Sequence, residues 1–199
     1  MEPSQLSQEL RQGKNPNMSR RRAIIGLSML GGSMGQLVTM YQTGIISHLP
    51  DPPIPIFNAD KVDASNYAYK RFNTPDGPLM IGTYAITAWL ASMGGLERAR
   101  RNPLIPIAMG VKILFDCATN VQLAREEWQE NKAFCEYCQV ASVCSFASLA
   151  LALSRWAEIK HTCVVLVKSA KVKLREDYSN FTFRYIAVNF SVHLLRVTI

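Results

Sequence analysis

The stretch Lys132-Ala-Phe-Cys-Glu-Tyr-Cys-Gln-Val-Ala-Ser-Val-Cys144 holds a C-x-x-C pair, Cys135 and Cys138, at the head of an apolar run that reaches about Leu153. Two residues three positions apart lie on one face of a helix, one turn from each other. The unpaired N–H groups and the macrodipole at a helix N-terminus favour a thiolate. A C-x-x-C pair in this place therefore suits reversible disulfide chemistry.

Four apolar runs are separated by charged or proline-rich segments, a pattern typical of a small polytopic membrane protein. The runs cover residues 23–47, 79–93, 103–124 and 133–154. The first has 25 residues without a charge and can span a bilayer with some tilt, whereas the second is short for a span. We predict an all-α fold, a membrane four-helix bundle over residues 20–155 with the C-x-x-C at the outer end of the fourth helix. A disordered polar N-terminus is expected over residues 1–19, and residues 156–199 form a tail without an assigned structure.

Two of the runs have an alternative interpretation. Ser19-Arg-Arg-Arg22 also resembles a twin-arginine export signal, but the run after it is long and no small-x-small cleavage site ends it, which favours an uncleaved membrane helix. The third run carries Lys112, Asp116 and Asn120, spaced by four and hence on one face. They fit either a solvated face of a soluble helix or a polar stripe turned into a bundle, with Lys112 and Asp116 neutralising each other. The other apolar runs favour the bundle.

The net charge of +7 admits nucleic acid or anionic lipid as a partner. Basic residues interleaved with stacking aromatics are missing, so we predict no nucleic-acid partner. Lys and Arg concentrate before the first run, in the turn at 94–102 and after the fourth run. Because basic residues favour the cytoplasmic side, we predict a multi-pass protein of the cytoplasmic (cell) membrane with both termini in the cytoplasm. The C-x-x-C pair then faces the outer, oxidising side, where disulfides persist.

The remaining cysteines and the histidines do not indicate a metal site. The five cysteines stand at positions 117, 135, 138, 144 and 163, and the three histidines are far apart. This is neither an evenly paired disulfide framework nor a set of usual zinc-ligand spacings, so we predict no metal. Cys117 and Cys144 fall inside apolar runs and are interpreted as small buried residues.

The order of these features resembles the vitamin K epoxide reductase family, four-helix membrane oxidoreductases that couple disulfide formation to quinone reduction. In that family the loop between the first two helices carries a half-helix with a Ser-x-Tyr-Ala-like motif, a proline precedes the second helix, and a C-x-x-C opens the last core helix. Here Ser65-Asn-Tyr67-Ala68, Pro75 or Pro78, and Cys135-Glu-Tyr137-Cys138 occupy those places. The similarity covers about residues 20–155.

The resemblance implies a thiol–disulfide oxidoreductase that works through Cys135 and Cys138. Cys135, nearer the surface, would exchange with a thiol, and Cys138, one turn deeper, would attack or charge-transfer to a quinone in the bundle. The implied co-substrate is a quinone, and the implied partners are the lipid bilayer and a thioredoxin-like thiol protein. Ser65, Tyr84 and Asn120 are candidate donors to a quinone oxygen, with ordinary interhelical hydrogen bonding as the alternative for each.

The first loop departs from the family pattern. Many members carry a second cysteine pair there, which relays electrons from the substrate to the C-x-x-C, whereas this chain has Asn58-Ala59-Asp60 where a loop cysteine would be sought. Either an external thiol partner reacts directly with the 135/138 disulfide, so that Cys135 must be reachable from water, or the protein is a non-catalytic, degenerate member that serves as a partner or assembly subunit. A basic soluble helical binding protein is a third interpretation.

Overall fold

The computed structural model describes residues 2–154, so the predicted tail at 156–199, with Cys163, lies outside the described residues. Within that part the fold is all-α, as predicted, and its only β pairing is an isolated bridge between Phe57 and Phe134. The helices are α1 (Pro3–Gln12), α2 (Pro16–Gln42), α3 (Ala59–Asp63), α4 (Asn66–Tyr69), α5 (Asp76–Ser92), α6 (Arg98–Arg101), α7 (Leu104–Asn131) and α8 (Glu136–Ser154).

Three of these helices, α2, α7 and α8, are long and apolar enough to cross a membrane. Helix α5 has 17 residues and corresponds to the short second run, so its crossing stays a prediction. It packs along α2, and the two helices approach closely at Gly31, which has no side chain. A Cβ at this position would lie 2.5 Å from the Tyr84 ring. Tyr84 can therefore reach past α2 to α8.

The polar stripe of α7 is turned into the bundle. Lys112 Nζ lies 2.5 Å from an Asp116 carboxylate oxygen and donates to Thr87 Oγ1 of α5 at 2.5 Å. Asp116 is 8% exposed and also accepts from the Thr83 hydroxyl at 3.0 Å. The predicted mutual neutralisation of Lys112 and Asp116 is thus confirmed, and a solvated face is excluded.

The N-terminal segment differs from the predicted disorder, because residues 3–12 form α1. No residue of α1 is buried, and the helix is held by polar contacts with distant segments. The Glu9 carboxylate accepts from the Leu96 N–H at 2.8 Å, and Arg22 donates to the Leu10 carbonyl at 2.8 Å. Polar contacts with distant segments cannot be predicted from a local sequence pattern, which explains the difference.

The loop between α2 and α5 folds over the N-terminus of α8. Phe134 N–H donates to the Ile56 carbonyl at 2.8 Å, and Asn58 N–H donates to the Phe134 carbonyl at 2.9 Å. Tyr137 adds a hydrogen bond from its hydroxyl to the Pro50 carbonyl at 2.9 Å. The place of the family's half-helix holds two short helices, α3 and α4, with Ala64 and Ser65 between them. Residues 50–58 are therefore fixed to the segment that carries the cysteine pair.

Candidate active site

The two cysteines of the C-x-x-C pair stand at the start of α8, as predicted. Cys135 directly precedes the helix, and its carbonyl accepts from the Gln139 N–H at 3.0 Å. Its sulfur accepts from the Cys138 N–H at 3.4 Å, which places Cys135 in the capping position. Both residues are free thiols.

The exposure of Cys135 differs from the prediction, whereas Cys138 lies one turn further along α8, as expected. Cys135 is 0% exposed and packs in the apolar cluster formed by the loop and the end of α2. Cys138 is only partly buried and lines a cavity. The cause is the loop, whose buried residues Leu49, Ala59 and Val62 pack in the same cluster as Cys135. The expectation that Cys135 is the more accessible thiol, reachable from water, was therefore wrong for this structure.

Burial also changes the acidity of the capping thiol. It raises the pKa of Cys135 to about 11, although the hydrogen bonds from Cys138 act in the opposite direction. Desolvation thus outweighs the favourable helix N-terminus, because moving a thiolate out of water costs more than these donors return. The thiolate that the sequence predicted is not the resting form of Cys135 at neutral pH.

The cavity beside Cys138 has a volume of about 390 Å³ and mostly apolar walls. Its lining comes from the loop half-helix and from α5, α7 and α8, and includes Tyr67, Met80, Tyr84, Asn120, Glu127 and Cys138. Pockets of this size with few polar groups are typical of small-molecule sites. In this cavity the Cys138 side chain therefore lies beside a space that can hold an apolar ligand.

The three predicted quinone donors are placed differently. The Asn120 side chain lines the cavity, and its amide nitrogen is buried with no hydrogen-bond partner among residues 2–154. Tyr84 also lines the cavity, but its hydroxyl donates to the Ala141 carbonyl, and the Ser145 hydroxyl lies 2.8 Å from it. Ser65 is not part of the lining, and its hydroxyl donates to the Val62 carbonyl at 2.6 Å. Asn120 thus has the free donor, Tyr84 joins helices, and Ser65 belongs to the loop.

Sequence reasoning missed a buried carboxyl beside the thiols. Asp63, at the end of α3, is 0% exposed, and neither of its carboxylate oxygens has a hydrogen-bond partner in the described part of the chain. One of these oxygens and the sulfurs of Cys135 and Cys138 all lie within 4.8 Å of one another. Burial raises the pKa of Asp63 to about 7. The sequence shows Asp63 only as a polar residue in a loop helix, since the contact depends on the loop closing over α8.

A second buried carboxylate, Glu127 of α7, holds the first turn of α8. It is 2% exposed, accepts from the Cys135 N–H, and accepts from the Gln139 side chain at 3.1 Å. The half-helix α4 is linked to α7 by Tyr67, whose hydroxyl donates to the Leu123 carbonyl at 3.1 Å. These contacts fix the cysteine pair relative to the cavity.

A sequence profile of the Vitamin K epoxide reductase family matches residues 22–153. The chain belongs to this family. The match extends from the first turns of α2 to the end of α8, so it includes the loop and both cysteines. No curated protein and no solved structure matches the chain significantly. Together with the three apolar helices, membership of the vitamin K epoxide reductase family makes this a multi-pass membrane protein and indicates thiol oxidoreductase chemistry.

Ala59 stands where a loop cysteine was sought, and the structure places it beside Cys135. Ala59 is 0% exposed and belongs to the same apolar cluster as Cys135. Its N–H donates to the Asp51 carboxylate at 2.8 Å, which fixes the start of α3. The place where a relay thiol was sought is therefore next to the C-x-x-C pair, but it holds a methyl group.

Proposed function

We propose that the protein is a quinone-linked thiol–disulfide oxidoreductase that works through Cys135 and Cys138. The observation that carries this proposal is that Cys138 lines a mostly apolar cavity of about 390 Å³ in which the buried amide of Asn120 lacks a partner. A quinone ring is apolar and flat, and its oxygens accept hydrogen bonds. Asn120 would orient such an oxygen, and Cys138 would be the sulfur that faces the ring.

The two half-reactions balance on this pair. Oxidation of two thiols to a disulfide releases two electrons and two protons, and reduction of a quinone to a hydroquinone takes up the same number. Cys138 gives up the electrons in the cavity, while Cys135, one turn away, closes the disulfide. The disulfide is then available to oxidise the thiols of a partner, for which a thioredoxin-like protein is proposed.

Access for that partner is controlled by the loop. Cys135 is buried among loop residues on either side of segment 50–58, and that segment is held by backbone hydrogen bonds with Phe134 and by the Tyr137 hydroxyl. Exchange with a protein thiol therefore requires this segment to move away. Without a loop cysteine pair, no internal relay can replace the movement.

We further propose that α5 is the fourth membrane crossing, in the cytoplasmic membrane, with the N-terminus in the cytoplasm and the loop outside. The two ends of the bundle differ in chemistry. One end carries α1, α6 and the turn at 94–97, where Arg21 donates to the backbone carbonyls of residues 91–95 at 2.7–3.2 Å. The other end carries the loop and the cysteine pair. The basic end is the one that the positive-inside rule assigns to the cytoplasm.

A non-catalytic member of the same fold is the second candidate. The missing loop cysteines and the complete burial of Cys135 favour it, since both remove a route for substrate thiols. It predicts that the pair keeps its redox state when quinone is supplied.

Steady-state quinone reduction by the purified protein, with dithiothreitol as the electron source, separates the two candidates. We expect wild type and Cys144→Ser to turn over and both Cys135→Ser and Cys138→Ser to be inactive. Cys144 is the matched control, because it is a buried thiol of the same helix that does not line the cavity. Equal rates in all four proteins, or no turnover by folded wild type, would favour the non-catalytic member.

A further inference from the structure

The burial of Asp63 needs a physical explanation. A carboxylate that is 0% exposed and is approached by no donor other than the Cys135 thiol in the described residues cannot stay charged without cost. No ion pair with Asp63 occurs within residues 2–154. The nearest reactive groups are instead the two thiols. One Asp63 carboxylate oxygen and the sulfurs of Cys135 and Cys138 all lie within 4.8 Å of one another.

The surroundings of Asp63 are acidic on every side. The titratable groups that act on it or on its neighbouring thiols are Tyr41 of α2, Asp51 and Asp60 of the loop, Tyr67 of α4, Asp76 of α5, Glu127 of α7, and Cys135, Glu136, Tyr137 and Cys138 at the start of α8. None of them is a cation, so a proton is the natural way to neutralise Asp63. The only groups among them that must release protons during disulfide formation are the two thiols.

We propose that Asp63 is the proton acceptor of the C-x-x-C dithiol. This rests on the proposed function. When the sulfur–sulfur bond forms, both S–H bonds break and two electrons pass to the quinone. Asp63 takes the proton of Cys135, and the two protons released by the thiols end on the hydroquinone, so Asp63 returns to the carboxylate. When a partner thiol opens the disulfide, the proton that the attacking thiol loses passes to Asp63, which gives it to the sulfur that leaves.

The acidities support this role. The pKa of Asp63 is about 7 and that of Cys135 about 11, both raised by burial. A base with a pKa near the working pH is the most effective partner for a thiol that does not ionise by itself. The exposed end of α3 could not provide such a group, because a solvated carboxyl has a much lower pKa.

The test is the pH dependence of single-turnover oxidation of the prereduced protein, with EDTA present so that no metal ion shared by these groups contributes. The oxidants are a short-chain benzoquinone and, separately, a small aromatic disulfide. Wild type should show a rate that rises through a step near pH 7. Asp63→Asn should lose the step and react about a hundredfold more slowly at neutral pH with both oxidants.

Asp60→Asn is the matched control, because Asp60 is on the same helix but its carboxylate accepts from the Leu49 N–H at 2.8 Å and pairs with His48. It should keep the step. Asp63→Ser replaces Asp63→Asn if the amide variant does not fold. A folded Asp63 variant that retains the step and a rate within about twofold of wild type would overturn the proposal. Wild type that reacts with the disulfide but not with the quinone would instead overturn the proposed function and leave the role of Asp63 intact.

Discussion

At the scale of single residues, burial decides which chemistry the site favours. Cys135 occupies a position where helix geometry favours a thiolate, yet it is 0% exposed and its pKa is about 11. Asn120 and Tyr84 line one cavity, but only the Asn120 amide is without a partner in the described residues. Residue type and helix position therefore do not determine a role, because the neighbours that fix acidity and hydrogen bonding come from other elements.

The buried Asp63 gives the protein a pH-dependent stability. Its pKa is about 7 in the folded protein and 3.8 in the unfolded chain. Between these two pH values the folded state therefore binds a proton that the unfolded chain has already released. The free energy of unfolding is therefore expected to fall as pH rises from about 4 to 7 and to change little from this group above that range. Asp63→Asn should remove this contribution. Thermal unfolding in detergent at several pH values measures it, and identical pH slopes in the two proteins would contradict it.

Asn120 and Tyr84 should differ in what their loss impairs. We expect Asn120→Ala to raise the KM for quinone about tenfold while leaving thermal stability nearly unchanged, because a ligand hydrogen bond is lost. Tyr84→Phe should lower the unfolding temperature, since it removes the bonds to Ala141 and Ser145 that join α5 to α8. Gln122→Ala, a change on the exposed side of α7, is the control. An unchanged KM in Asn120→Ala would exclude Asn120 from the binding site.

At the scale of elements, the long helices were predictable from the sequence, but the packing of the loop between α2 and α5 on the start of α8 was not. The four apolar runs correspond to α2, α5, α7 and α8, and the spacing of Lys112 and Asp116 predicted their pairing. Periodicity is a local signal, so it identifies such helices from sequence. The bridge between Phe57 and Phe134 joins segments far apart in the chain, and neither segment carries a pattern that selects the other. The burial of Cys135 and its closeness to Asp63 come from the packing of this loop against the start of α8.

The covering segment should protect Cys135 from reagents. In a variant whose other cysteines are replaced by serine, we expect reduced Cys135 to react slowly with a membrane-impermeant maleimide. Tyr137→Phe should increase the rate, because it removes the hydrogen bond to the Pro50 carbonyl. Labelling in inverted and right-side-out vesicles measures the rate and the side together. Rapid labelling without the second change would show that residues 50–58 do not close the site.

Ala59 offers a test of the loop's position. In a Cys138→Ser background, Ala59→Cys should form a disulfide with Cys135, since both side chains belong to one apolar cluster. Ala64→Cys, at an exposed position directly after α3, should not form a disulfide with Cys135. Oxidation with copper phenanthroline, followed by mass spectrometry of the linked peptides, identifies the pair. Cross-linking at Ala64 but not at Ala59 would contradict the packing.

At the scale of the whole molecule, the helical bundle places the thiol pair between the covering loop and an apolar cavity. Cys138 joins these two environments, because it lies in the first turn of α8 and also lines the cavity. The proposed topology puts this end outside. Reporter fusions should therefore report the N-terminus as cytoplasmic and residue 65 as external, and residue 65 on the cytoplasmic side would place the pair in a reducing compartment.

The most direct test of the central claim is a stoichiometric oxidation without oxygen. Prereduced protein is mixed with one equivalent of a short-chain quinone, and hydroquinone is measured by absorbance while Cys135 and Cys138 are counted by alkylation and mass spectrometry. The account predicts that these two thiols disappear together, one disulfide forming for each hydroquinone, while Cys117 and Cys144 stay alkylatable after denaturation. Hydroquinone formation with Cys135 and Cys138 still reduced, or no reaction in folded protein, would contradict it.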